Sequence, residues 1–124
     1  MNKVNSNTYP KIIENVGNGS YLYHFNINEI DKDNLNISNA EKSICYEYDE
    51  VHIWSPISSD AITKAVMNYI WSKDTEQKYI NDYNAATLGI LDATYIESYK
   101  NFMIQRKSIK EQIDKDYEEY VNYP

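Results

Sequence analysis

The stretch from Thr94 to Tyr120 constrains the fold more than any other part of this sequence, because it carries the longest uninterrupted helical pattern. Apolar side chains and one arginine recur there at steps of three or four residues, the spacing that aligns side chains on one face of a helix. They are Tyr99, Phe102, Arg106, Ile109, Ile113, Tyr117 and Tyr120. Such a helix would extend ~40 Å, more than a compact domain of this size needs. We therefore expect the part after Ile109 to project toward a partner.

Two shorter helices are predicted before it. Ser58 or Ser59 is a suitable N-cap for a helix that reaches Trp71, with an apolar stripe at helical spacing. Asp74 followed by Gln77 resembles a capping box and predicts the start of a second helix. Gly89 is placed to end that helix, because glycine adopts the left-handed conformation at no steric cost. The second and third helices should form a hairpin, since the connection between them is short.

The third helix has its own start signal. Thr94 followed by Glu97 fits the Ser/Thr-x-x-Glu capping box, which predicts Thr94 as the N-cap.

The first half of the chain has strand periodicity instead. Tyr21, Tyr23, Phe25 and Ile27 alternate with polar residues, with Leu22 as the exception, which predicts a half-buried strand directly after the turn signal Gly17-Asn18-Gly19. A second strand is predicted from Ser43 to Trp54. Its apolar parity changes at Asp49 and Glu50, so either a bulge or a tight turn is expected there. The polar segment between the strands, 29–42, is predicted as a loop with an optional short strand at 35–37.

These patterns predict an α+β fold, with a small antiparallel sheet of two or three strands followed by three helices. Residues 1–18 are predicted as an extended N-terminal arm, in which Ile12 and Ile13 form a short strand or packing plug; 19–55 are the β region, and 56–124 are a helical region packed on the sheet. The length of 124 residues suits a single domain.

Charge and composition exclude several classes of function. The net charge of -7 argues against a nonspecific nucleic-acid binder, which needs a basic face, and against docking on an anionic membrane. No apolar run has the length of a signal peptide or a membrane span. The single cysteine, Cys45, allows no internal disulfide and fits a reducing or redox-indifferent compartment.

The chain lacks the residue patterns of common catalytic and cofactor sites. Its 3 glycines cannot form a phosphate loop, and the acids near Asp31 lack the glycine and final acid of a calcium loop. His24, Cys45 and His52 would make a zinc site only if the fold brought them together; isolated histidines on strands are the more common reading. Cys45 has acidic neighbours that disfavour a thiolate nucleophile. We expect no enzyme, no metal and no cofactor.

Partner contacts are expected instead. The 13 tyrosines suit surfaces that are half dry and half wet, although an AT-rich genome explains much of this bias. Arg106 interrupts the apolar stripe of the last helix, where it either pairs with a carboxylate across a helix interface or extends to the surface. The tryptophans suit either the core or a partner's pocket. The candidate contact residues are Tyr21, Tyr23, Trp54, Trp71, Arg106, Ile113, Tyr117 and Tyr120.

The helical half also carries a family resemblance. Over residues 61–116 the chain resembles small proteins of tailed phages and prophages of gut Bacteroidetes, and its β-then-hairpin order is more remotely similar to that of tail-fibre assembly proteins. The matching positions are Tyr83-Asn84-Ala85, Leu88-Gly89-Ile90, Tyr99, Arg106, Ile109 and Lys110. These positions are structural signals for caps and packing.

The resemblance implies a non-enzymatic virion structural or assembly protein of the tail, neck or fibre, acting through protein contacts. Its partners would be other virion or assembly proteins and further copies of itself, with neither nucleic acid nor membrane involved. Its location would be the virion, or the host cytoplasm during assembly. The alternative is an acidic inhibitor of a host defence protein, which would require a clustered negative patch.

Overall fold

The computed structural model describes residues 3–31 and 44–123, and it confirms the predicted α+β class. An antiparallel sheet precedes three helices, and the chain divides into two compact units, Met1–Ile57 and Ser58–Pro124. The sheet has four strands, so the prediction of two or three was too low. That the helices pack on the sheet stays a prediction.

The sheet has two long central strands and two short edges. In chain order the strands are β1 (Val4–Ser6), β2 (Ile13–Gly17), β3 (Ser20–Asp31) and β4 (Ile44–Trp54), arranged spatially as β1-β4-β3-β2. Both edge strands come from the segment predicted as an arm, where only Ile12 and Ile13 had been considered for a strand. β3 also includes residues 29–31, which had been predicted as the start of the loop. The rest of that predicted loop, with its optional short strand at 35–37, lies outside the described residues.

The turn between β2 and β3 has the geometry that its sequence predicts. Asn18 and Gly19 both have positive φ, 55° and 73°, as the two central residues of a type I′ hairpin turn do. This turn matches the right-handed twist of the flanking strands, so the β2–β3 hairpin is specified locally.

The predicted irregularity in β4 lies in β3 instead. β4 is continuous from Ile44 to Trp54, so the bulge or turn expected at Asp49 and Glu50 is absent. In the register, Phe25 pairs with Asp49 and Asn28 pairs with Glu47, so two residues of β3 face one residue of β4. Asn26 lies in this bulge and has a φ of 53°, a conformation that asparagine tolerates better than most residues.

Residues 7–12 cross one face of the sheet, because β1 and β2 lie at opposite edges. Along this crossing segment the Tyr9 ring packs edge-on against Tyr46 of β4, with centroids 5.3 Å apart. Pro10 is buried, and the backbone N–H of His24 in β3 donates to the Ile12 carbonyl at 2.8 Å. The Lys11 carbonyl of this segment contacts the His24 ring on this face, while Tyr23, Val51 and Ile53 are among the buried apolar side chains of the other face.

The three helices begin close to the predicted positions, but two of their caps differ. They are α1 (Ser59–Ile70), α2 (Lys73–Thr87) and α3 (Thr94–Asn122). Ser58 caps α1 by accepting from the Ala61 N–H, which confirms one of the two predicted caps. Ser72 is the N-cap of α2, and Ala93, which makes no side-chain cap hydrogen bond, is the N-cap of α3, so the predicted caps at Asp74 and Thr94 are wrong. Ser72 accepts from Thr75 N–H at 3.1 Å, and Asp92 accepts from Thr94 N–H at 3.0 Å.

The end of α2 forms a Schellman motif around Gly89, as the glycine predicted. Gly89 has a φ of 77°, and its N–H donates to the Ala86 carbonyl at 3.1 Å. The Ile90 N–H donates to the Ala85 carbonyl at 2.9 Å, which completes the pair of bonds that defines the motif. The backbone of the turn into α3 is therefore held by its own hydrogen bonds.

The C-terminal half of α3 packs within the helical unit, so the prediction that it projects after Ile109 is wrong at Ile113. That side chain is 1% exposed. On either side of it, Asp114 accepts a hydrogen bond from Ser59, and Lys110 lies 3.8 Å from Asp60 of α1. The start of α1 therefore lies beside this part of α3, which the length of α3 had suggested was free.

Candidate protein-contact surface

A ladder of aromatic rings joins α2 and α3 in the hairpin that the sequence predicted. Tyr79 stacks on Phe102 and Tyr83 stacks on Tyr99, each pair with ring centroids 4.5 Å apart. Trp71 packs edge-on against Phe102 at 5.1 Å. Offset stacking and edge contacts are the favourable geometries for such rings. The ladder fixes the register of the hairpin and leaves Tyr79, Tyr83 and Tyr99 half-buried.

Arg106 lies at the end of this ladder and pairs with Glu76 across the helix interface. Its guanidinium carbon also lies 5.4 Å from the centre of the Phe102 ring. The sequence left two alternatives for Arg106, an ion pair across a helix interface or extension to the surface. The structure shows the interhelical ion pair. The pair is only partly shielded from water, with the Arg106 side chain 33% exposed, so it contributes more to register than to stability.

The opposite end of the hairpin exposes four large apolar side chains, which we call the apolar turn: Leu88, Ile90, Leu91 and Tyr95. Leu88 is 75% exposed and Ile90 is 73% exposed. Leu91 and Tyr95 are 36% and 38% exposed. The backbone beneath them is fixed by the Schellman motif and by the hydrogen bond that the Thr94 N–H donates to the Asp92 side chain. A rigid turn that presents apolar groups to solvent is typical of an interaction site.

Sequence reasoning missed the apolar turn as a site, although two signals were available. Leu88 and Ile90 flank the glycine that stops α2, so neither belongs to the helical stripe that packs the hairpin. Both also belong to the motif on which the phage resemblance rests. In that motif Tyr83 and Tyr99 stack, Arg106 forms an ion pair and Gly89 closes the helix, whereas Leu88 and Ile90 contribute little to internal packing.

The predicted contact residues have very different exposures. Tyr23 and Ile113, each 1% exposed, are buried, so their side chains offer no contact surface. Trp54, at the end of β4, is 68% exposed and is available to a partner. The others are half-buried: Tyr21, Trp71, Arg106, Tyr117 and Tyr120.

The three residues considered for zinc do not converge. His24 pairs with Glu50 in the sheet register and is covered by the crossing segment, with Nδ1 2.5 Å from the Lys11 carbonyl and Nε2 2.9 Å from Glu50. Cys45 is buried, and the register places it on the opposite face of the sheet. Residues 3–31 and 44–123 contain no cluster of three potential metal ligands.

His52 contacts a hydroxyl but lacks the rest of a nucleophilic site. Its Nε2 lies against Ser20 Oγ, and its ring packs edge-on against Trp54 with centroids 4.4 Å apart. A serine nucleophile also needs a group that orients the imidazole. Within the described part of the chain, no carboxylate contacts His52. The Ser20–His52 pair therefore ties β3 to β4.

Opposite charges alternate along the helices. Lys78 pairs with Asp82, Lys107 with Glu111, and Lys110 with Asp114. The Ser59 hydroxyl, which donates to the Asp114 carboxylate, holds the pKa of that carboxyl below its usual range, and Lys110 acts in the same direction. Interspersed pairs of this kind do not make a clustered negative patch.

In the sheet unit, Tyr48 has a perturbed hydroxyl. Burial raises its pKa above the ordinary tyrosine value, and the carboxylates of Glu50 and Glu14 raise it further. A hydrogen bond with Ser6 opposes these effects. The buried ring lies edge-on to His24, with centroids 4.7 Å apart, so this hydroxyl belongs to the packing under the crossing segment.

Comparisons with protein-family models, with curated proteins and with solved structures gave no match for this chain. Among the described residues, none of the three helices combines the length and apolar character that crossing a membrane requires.

Proposed function

We propose that this chain is a non-enzymatic structural or assembly protein of a tailed-phage particle that acts through protein–protein contacts. The observation that carries the proposal is the apolar turn. Leu88 and Ile90 each leave about three quarters of their surface in water while the backbone beneath them is held rigid. Exposed apolar side chains that contribute little to internal packing lower the solubility of a protein unless a partner covers them.

The link to a phage particle comes from the resemblance. The Leu-Gly-Ile element of the resembling proteins coincides here with the exposed apolar turn. Both lines of argument therefore point to the same few residues as a contact element.

The alternative, an acidic inhibitor that mimics nucleic acid, receives less support. It requires acids that stand together without cations between them. In the helical unit, several carboxylates lie beside a lysine or arginine, as the Asp82, Glu111 and Asp114 pairs illustrate.

The experiment is to follow the chain through assembly of the phage or prophage that encodes it. Quantitative mass spectrometry of gradient-purified particles and assembly intermediates should find the chain in one of them, and deleting its gene should reduce the yield of complete particles. Its absence from both fractions, together with normal particle yield after deletion, would overturn the proposal.

A further inference from the structure

The apolar turn has the shape and size of an insertion element. Its four side chains expose on the order of 450 Å² in total, which is less than one side of a standard specific interface. Two copies meeting turn to turn would bury under ~1,000 Å², near the range of nonspecific contacts. A convex element buries more of its surface in a concave recess, where a few rigid apolar anchors supply most of the affinity.

Two cavities of the helical unit have charged side chains in their walls. One cavity of about 300 Å³ is lined by charged side chains that include Lys64, Arg106 and Lys110. A second, of about 260 Å³, is lined by Tyr79 and Tyr95 together with the ion pair of Lys78 and Asp82. Inserting leucine and isoleucine beside these charges would cost desolvation with no compensating bond. A second copy therefore provides no suitable receptor in these cavities.

The charges around the apolar turn indicate which side chains should surround the recess on the partner protein. Between 84 and 98 the sequence contains only two charged side chains, Asp92 and Glu97, and both are acidic. Lys78 and Asp82 of α2 share a cavity wall with Tyr95, but they pair with each other and so offset each other's charge. Within the described residues, neither forms an ion pair. Together with the overall charge of -7, this local field favours a cationic rim on the partner and disfavours contact between copies.

We propose that the apolar turn inserts into an apolar recess of a different particle protein, and that lysine or arginine side chains line the rim of that recess. The inference rests on the proposed function and identifies its contact element. The rigidity of the turn supports insertion, because a preformed backbone loses little conformational freedom on binding.

The test uses the full chain immobilised on a sensor and the dissociated structural proteins of its own particle as the probe. Leu88→Ser/Ile90→Ser removes the two most exposed anchors. Met103→Ser/Ile104→Ser is the matched control, because those side chains are 45% and 55% exposed on the middle of α3. Circular dichroism and thermal unfolding establish that each variant keeps the fold.

The wild type and the control should retain the same particle protein, and the turn variant should bind it about tenfold or more weakly. Raising NaCl from about 50 mM to about 500 mM should weaken wild-type binding several-fold, and Glu97→Gln should reduce that salt dependence.

Three outcomes would overturn the inference while the proposed function stands. Equal binding by the turn variant would remove the turn as the contact, and salt-independent binding would remove the cationic rim. Light scattering that shows a dimer dissolved by Leu88→Ser/Ile90→Ser would assign the turn to a second copy. Failure of the wild type to retain any particle protein would instead count against the proposed function itself.

Discussion

Replacing Ile113 with alanine tests the packing of the second half of α3, the region where sequence and structure differ most. Ile113 is 1% exposed, and the flanking Lys110 and Asp114 contact α1. Removing a fully buried isoleucine side chain costs about 2–5 kcal/mol through lost burial and a residual cavity. The higher helix propensity of alanine returns about 0.4 kcal/mol. We expect a net loss of about 3 kcal/mol, which corresponds to a fall in Tm of roughly 10 °C.

The assay is urea and thermal unfolding followed by circular dichroism at 222 nm, a signal dominated by the three helices. Ile104→Ala is the control, because Ile104 lies on the same helix and is 55% exposed. Its replacement should change the free energy of unfolding by no more than about 0.5 kcal/mol. A loss below ~1 kcal/mol for Ile113→Ala, or equal losses for both variants, would refute the packing of α3 on α1.

Three further predictions concern charged and titrating groups. A double-mutant cycle of Arg106→Gln and Glu76→Gln should give a coupling of about 0.5–1 kcal/mol that shrinks in high salt, and zero coupling in low salt would exclude the pair. Because its folded pKa is lowered, Asp114 stabilises the fold above the ordinary carboxyl pKa and loses that contribution as pH falls through the folded value. NMR titration should show a higher Asp114 pKa in Ser59→Ala; an unchanged value would contradict the assigned cause. Burial and nearby carboxylates raise the pKa of Tyr48, so folding stability should fall as pH rises above the ordinary tyrosine pKa, and Tyr48→Phe should remove this dependence in alkaline unfolding curves.

The helical half could be predicted well because its signals are local. The period of Tyr99, Phe102 and Arg106 places them on one face of α3, and Gly89 ends α2 through a conformation that few other residues tolerate. The N-caps, Ser72 and Ala93, lie two residues and one residue before the predicted ones, because several neighbouring side chains can accept the same backbone N–H groups. Small errors of this kind leave the architecture unchanged.

The sheet was predicted less completely because its edges and register depend on distant parts of the chain. β1 has only three residues, and it is defined by pairing with Tyr46–Tyr48 of β4. The parity change in β4 could be read from the sequence. The compensating bulge lies across the ladder at Asn26, and only the pairing of two strands reveals that position.

The contact surface required knowledge of which apolar side chains the fold leaves uncovered. Periodicity treated Ile113 as a candidate for a partner, but the fold buries that side chain in the part of α3 that lies beside α1. Leu88 and Ile90 lie outside any helical stripe, so the sequence pattern did not identify them as contact residues. The structure identifies them because it places them at an exposed turn whose backbone is held by hydrogen bonds.

The central claim, that the apolar turn is the contact element of a particle protein, is tested most directly by complementation. A phage or prophage that lacks this gene would be supplied in trans with wild type, Leu88→Ser/Ile90→Ser or Met103→Ser/Ile104→Ser, and the yield of infectious particles would be counted. We predict that the control restores yield and that the turn variant, although folded and present at the same level, leaves it about tenfold or more lower. Equal yields from the two variants would contradict the claim.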